Sequence, residues 1–241
     1  MHTIALVSRK GGTGKSTLAV GLAVAALRDG HKVCLLEADP QGTISNWRSR
    51  RPLAEPAVET VADATDLARR LPFLANCGVT LTIVDTAGGQ CDAVTAAAID
   101  AADLCLIPAR PSPADIEAAA PTLGAVRLAG KPFAFVLNQT PARGGRHNTA
   151  AASLGAATVA LDGVELLAQP FIGLRNDQQD ALGAGLGVAE FAADGKSAGE
   201  IGALWQWVWH RLTAIAPRTA QAELAGGNLP ANEQDELRAV G

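Results

Sequence analysis

Tyrosine is missing from the 241 residues of this chain, and phenylalanine occurs only 5 times. That scarcity of rings argues against a platform on which single-stranded bases stack. Cysteine is equally thin. Cys34, Cys77, Cys91 and Cys105 are widely spaced and form no Cys-x-x-Cys pair. Neither a disulfide framework nor a zinc site is expected, and a reducing cytoplasm fits. Cys34 and Cys105 lie in apolar runs, where a buried thiol is a small hydrophobe. No apolar stretch continues long enough to span a bilayer. Positive charge is not in excess either: the formal net charge is −4, so attachment to nucleic acid has to come from a local basic patch. With 48% hydrophobic residues, the chain has enough apolar material for one sizeable core.

What the chain does have appears almost at once. Residues 9–17 read Arg-Lys-Gly-Gly-Thr-Gly-Lys-Ser-Thr. They follow the apolar run Ile4-Ala5-Leu6-Val7 and precede a helix-like stretch from Leu18 to Leu27. Strand, glycine-rich loop and helix N-terminus is the context a nucleoside-triphosphate loop requires. Gly11, Gly12 and Gly14, with Thr13 among them, let backbone N–H groups converge on one anion. Lys15 is placed to reach the β- and γ-phosphates, and the Ser16 hydroxyl to ligate Mg²⁺. Thr17 offers a second hydroxyl near the α-phosphate. Arg9 stands where the ordinary phosphate-loop pattern has glycine, so the match is to a deviant form, Lys-Gly-Gly-x-Gly-Lys-Ser, with Lys10 as an additional cation.

Apolar runs at 3–8, 32–37, 79–85, 103–108, 132–137 and 164–169 alternate with Ala- and Leu-rich helical stretches. This predicts an α/β fold of the P-loop NTPase kind, a mostly parallel twisted sheet with helices on both faces. Gly30 reads as a helix stop, and Ser112-Pro113-Ala-Asp-Ile-Glu as a helix start. Residues 1–216 are expected to form the ATPase domain, and 217–241 a polar, flexible C-terminal tail. Ligands of such sheets bind at the carboxyl ends of strands. Asp85 closes the run Leu81-Thr-Ile-Val-Asp85, which sets a carboxylate near Mg²⁺. Asp39 leaves the second run in Glu37-Ala-Asp39-Pro-Gln-Gly42 and could orient the attacking water; the neighbouring Pro40 and Gly42 equally suit a turn that Asp39 initiates.

The segments Lys10-Gly-Gly-Thr-Gly-Lys15-Ser-Thr, Asp39-Pro-Gln-Gly and Ile83-Val-Asp85-Thr together resemble the ParA/MinD-type ATPases with a deviant phosphate loop, over roughly residues 1–215. Asp39-Pro-Gln…Ser45-Asn-Trp47, Ala101-Ala-Asp-Leu-Cys-Leu-Ile-Pro108 and Pro111-Ser-Pro-Ala-Asp-Ile-Glu117 are most similar to small ParA partition ATPases of the ParF type. The resemblance implies a Mg²⁺-dependent ATPase, cytoplasmic and nucleoid-associated, that forms a homodimer with ATP. Lys10 would reach the partner's nucleotide, a role that stabilises phosphate charge only in the assembled dimer; a solvated loop lysine is the plainer alternative. Asn138 and the segment around Pro170 resemble positions that hold adenine, although a strand-end Asn can also serve a local turn. Thr86-Ala-Gly-Gly89 departs from the Pro-Pro that often follows the metal-site Asp.

The same resemblance implies non-specific binding to double-stranded DNA, with Arg175 and Lys196 at the matching positions. Each could also be a single solvated charge. Arg48, Arg50 and Arg51 form a denser cluster that reads as a solvated helix end. A small centromere-binding adaptor of the ParB or ParG kind would stimulate hydrolysis, and plasmid or chromosomal DNA would be the cargo. Three other readings stand beside this one. A MinD-like membrane cycle needs a basic amphipathic C-terminal helix, whereas Ile201, Leu204, Trp205, Val208, Leu212 and Ile215 make one apolar stripe suited to docking. An electron-transfer ATPase like the nitrogenase iron protein needs paired cysteines, and Cys91 has no evident mate. A ParA-like ATPase that positions a protein cargo shares every motif above.

Overall fold

The alternating apolar runs become parallel strands. These are β1 (His2–Leu6), β2 (Val33–Ala38), β3 (Ala57–Thr60), β4 (Leu81–Thr86), β5 (Leu104–Ala109) and β6 (Phe133–Leu137). In the computed structural model, which describes residues 1–89, 91–141, 145, 149–154 and 166–214, they form one sheet in the order β3-β2-β4-β1-β5-β6. Between and after them come α1 (Lys15–Arg28), α2 (Thr43–Arg50), α3 (Ala64–Asn76), α4 (Ala93–Ala101), α5 (Pro113–Leu128), α6 (Asn176–Gly183), α7 (Val188–Phe191) and α8 (Lys196–Ala214).

The side chains of each strand alternate between two apolar layers. Ile4, Leu6, Leu35, Ile83, Leu104 and Leu106 face the layer that holds α1 and α8. Ala5, Cys34, Leu36, Val84, Cys105 and Ile107 face a second layer, which includes Leu67 of α3, Ile99 of α4 and Val126 of α5. The docking stripe of α8 is buried as its spacing predicts: Ile201, Leu204, Trp205, Val208 and Leu212 are each at most 1% exposed. Ile215 and the 217–241 segment lie outside the described residues. Each such side chain contributes about 1.5–3 kcal/mol by leaving water, which is why α8 stays on the protein. Among the described residues no helix is long and apolar enough to cross a membrane.

Three local expectations change. β3 was not anticipated, because Ala57-Val-Glu-Thr60 carries little apolar signal; it is an edge strand whose register is set by pairing Cys34–Glu37 with Ala57–Thr60. The run at 164–169 is not a full strand where described: Leu167 makes an isolated parallel bridge to Phe135, and residues 164–165 lie outside the described set. Arg51 is not part of a solvated helix end. Its side chain is fully buried, stacks on Trp47 at 4.7 Å and forms a two-pronged pair with Glu190 at 2.8 Å for each prong.

Candidate nucleotide site

Strand register gathers the acids. Asp85 pairs with Leu6 of β1 on one side and Glu37 of β2 on the other, so the ends of three strands meet under the loop that follows β1. The Ser16 hydroxyl, in the first turn of α1, donates to Asp85 Oδ2 at 2.6 Å. Asp85 is fully buried, and its Oδ1 has no hydrogen-bond partner. Burial raises its pKa from 3.8 to about 7; the Ser16 bond and the Lys15 charge oppose this, while Asp39 and Glu37 add to it. An orphaned, desolvated carboxylate oxygen beside a hydroxyl is a donor set that suits a hard cation such as Mg²⁺, which takes one or two protein oxygens and completes its shell with water and phosphate.

Lys15 is 6% exposed. Burial lowers its pKa, with Asp85 and Asp39 pulling the other way. Its charge therefore sits in a pocket that a polyanion would stabilise. Gly14, left-handed at φ 88°, precedes α1 and offers no side-chain cap, which leaves the first N–H groups of the helix for an anion. The loop is held from below. Asn138 Nδ2 donates to the Thr13 carbonyl at 2.8 Å, and Gln139 Nε2 to the Gly12 carbonyl at 3.0 Å. A Cβ on Gly14 would fall 2.3 Å from Asn138 Nδ2, so both φ and space demand glycine here.

The remaining expected residues are placed as follows. Gly11 lies beside the segment after β4: a Cβ on Gly88 would be 3.4 Å from Gly11 Cα and 3.5 Å from Lys15 Nζ. Gly89 N–H donates to the Arg9 carbonyl at 2.7 Å, so this segment rests on the phosphate loop. Asp39 Oδ1 accepts from Gln41 N–H at 2.9 Å, the turn-forming role weighed above, while its charge acts on both Lys15 and Asp85. Lys10 is not a solvated loop lysine. Its ammonium donates to Asp115 Oδ2 at 3.0 Å. Thr17 and Asn138 share a groove with Gly14, Gly173, Leu174, Arg175 and Gln178. Pro170, joined to Gln169 by a cis peptide, precedes that groove on a segment tied to β6 through Ile172 N–H and the Leu137 carbonyl. Arg175 lines the groove and pairs with Glu200 of α8 at 2.6 Å, whereas Lys196 is exposed one turn before Glu200.

Three contributors escaped the sequence reading. Glu37 is 2% exposed and accepts from Ile44 and Ser45 N–H at 2.6 and 3.0 Å, so it caps α2 and fixes the Asp39–Gly42 turn. An acid inside an apolar run was the available signal. Gln139 adopts φ 54°, which no local pattern announced. Asp115 read as a helix-start acid, and nothing in its spacing pointed to Lys10.

Known proteins place this geometry. Residues 4–186 match the model of the CobQ/CobB/MinD/ParA nucleotide binding domain. The chain is 39% identical over 121 residues to the maintenance of carboxysome distribution protein A of Gloeobacter kilaueensis, covering 48% of this chain and 52% of that one. It is 33% identical over 149 residues to the protein of the same name from Halothiobacillus neapolitanus, covering 58% and 68% respectively. The alignment thus spans about half the length of the first of these relatives. In fold it is similar to apo McdA of Cyanothece, with a TM-score of 0.68 at 19% identity over 86% of this chain and 99% of that one. The chain is therefore a member of the CobQ/CobB/MinD/ParA nucleotide-binding family, of the ParA/MinD type with a deviant phosphate loop.

Proposed function

We propose that this chain is a Mg²⁺-dependent ATPase whose two copies pair around ATP, bind double-stranded DNA without sequence preference, and position a protein-built cargo. The observation that carries the ATPase reading is the buried Ser16–Asp85 pair, with an unpartnered carboxylate oxygen, beside Lys15 at the mouth of an uncapped helix. Bound there by Ser16 and Asp85, Mg²⁺ would neutralise phosphate charge. Lys15 and the loop N–H groups bind the phosphates, and the Asn138 and Gln139 amides keep the loop in its cradle shape. Asp39, fixed on its turn by the Glu37-capped helix, orients water. Lys10, from the opposite copy, supplies the second cation. The groove along Thr17, Asn138 and Arg175 would receive the nucleoside. In this reading Arg175 serves DNA less directly than Lys196, because Glu200 already engages its guanidinium.

Similarity to two carboxysome-distribution proteins favours a protein assembly as cargo. The ParF-like segments Ser45-Asn-Trp47 and Pro111–Glu117 favour a second reading, partition of a replicon, with an adaptor that stimulates hydrolysis in either case. Light scattering and DNA retardation with ADP, ATP and a slowly hydrolysed analogue test the common core. Dimers and retarded duplex are expected only with triphosphates, and Asp39→Ala should accumulate dimer while Lys15→Ala binds no nucleotide. A monomer under every condition would overturn the proposal. Deleting the gene separates the cargoes: clumped protein foci with stable replicons support the first, replicon loss the second.

A further inference from the structure

Lys10 does not wait at the surface. Its ammonium lies 3.0 Å from Asp115 Oδ2, and the two side chains are 31% and 3% exposed. Asp115 also takes a bond from Arg110 Nε at 2.9 Å and one from the Ser112 hydroxyl, so one buried carboxylate is shared by two cations and a hydroxyl. Burial alone would raise its pKa, but the bonds from Ser112, Arg110 and Lys10 outweigh it and hold the acid ionised below the usual range. Its own N–H is capped by Ser112 at 3.2 Å, which fixes the carboxylate on the first turn of α5. The loop backbone is anchored to the same helix, since Arg9 N–H donates to the Thr122 hydroxyl at 3.3 Å.

We propose that Asp115 is a positioning residue that tethers Lys10 inside its own protomer, so that pairing has to exchange this ion pair for phosphate across the interface. The inference rests on the pairing reading above and adds a threshold to it. A lysine already bound to a carboxylate must lose that contact before it can enter a second active site. The energy of the intrachain pair is therefore subtracted from that of assembly. Arg110 bonds the other oxygen, Oδ1, of the same carboxylate, and its charge offsets the field that Lys10 feels, so weakening Arg110 should tighten the tether and weakening Asp115 should release it.

The experiment is sedimentation of the full chain with Mg²⁺ and a slowly hydrolysed ATP analogue, read as the protein concentration at half-dimerisation. Asp115→Asn keeps the shape and the Ser112 contact while removing the charge. It should lower the midpoint about fivefold, the size expected of one partly exposed ion pair. Arg110→Gln, at a half-exposed position, should raise it about twofold by the same reasoning. Lys10→Met should pair only at higher protein concentration, and in that background neither change should move the midpoint further, which a merely structural role for Asp115 would not predict. Where Lys10→Met does not pair at all, the opposite shifts of the two single variants decide. Unchanged midpoints in both single variants, or equal shifts with and without Lys10, overturn the tether. If Asp115→Asn melts early, Arg110→Gln decides by the direction of its shift. A wild-type chain that never pairs overturns the pairing reading, and the threshold falls with it. In that case the tether itself is judged by the rate of Lys10 acylation in nucleotide-free protein, which should rise in Asp115→Asn and overturns the contact if it does not.

Discussion

Replacing Asp85 by asparagine should stabilise the empty protein while disabling it. In the folded chain this carboxyl has a pKa of about 7 against an ordinary 3.8, and burial is the main cause. The folded state therefore holds a proton that the unfolded state releases anywhere between those two values. Stability that Asp85 contributes when protonated is fully present below 3.8 and is lost as pH rises through about 7. The gap between the two values corresponds to at most about 4 kcal/mol for ionising the side chain in place. Asparagine has no proton to lose and keeps a partner for the Ser16 hydroxyl. In chelator, without nucleotide, urea unfolding should show the variant gaining roughly 2–3 kcal/mol on the wild type between about pH 5 and about pH 8. Other titrating groups are common to both proteins and cancel in the difference. Adding Mg²⁺ and an ATP analogue at the higher pH should reverse the order, because ligand stabilisation requires the lost carboxylate. A pH-independent difference between the two proteins would refute the claim that this acid is held against its charge.

Other substitutions probe neighbouring parts. Gly14→Ala should fold but bind ATP at least about tenfold more weakly by calorimetry, since its methyl would collide with Asn138 Nδ2 at 2.3 Å and the left-handed backbone disfavours it. Glu190→Gln should cost about 3 kcal/mol in urea by leaving the buried Arg51 guanidinium uncompensated, with no effect on the salt slope of DNA binding. Leu204→Ala, fully buried in α8, should cost about 2–5 kcal/mol without exposing a lipid-binding surface, checked by liposome sedimentation.

Local chemistry made much of this legible. Gly-Gly-Thr-Gly-Lys-Ser allows few backbones other than a phosphate loop, and five of the apolar runs became strands because burial on both faces demands continuous apolar sequence. The Val-Asp85 ending and the Ser112-Pro113 start were equally readable. What escaped depends on long-range contact. Lys10 and Asp115 are 105 positions apart, and Asn138 and Thr13 are 125 apart, so only the closed sheet brings them together. Arg51 misled because a run of arginines has the same appearance whether it is solvated or folded beneath a tryptophan. β3 carries little signal because it is a four-residue edge strand in which no side chain is fully buried, so nothing in it demands apolar residues.

The way α1 is seated has a mechanical consequence. One end of this rod emerges from the glycine-rich loop at Gly14, and its flank is wedged between the sheet and α8, with the α-carbon of Gly21 close enough that a methyl there would press on Ile201 at 3.3 Å. A rod held along its length in this way moves with the core and not on its own. Under the proposed function, a change at the nucleotide would be felt first by what touches the loop: the segment from Thr86 to Gly89, whose Gly89 N–H bonds the Arg9 carbonyl, and the turn carrying Asp39, whose charge acts on Lys15.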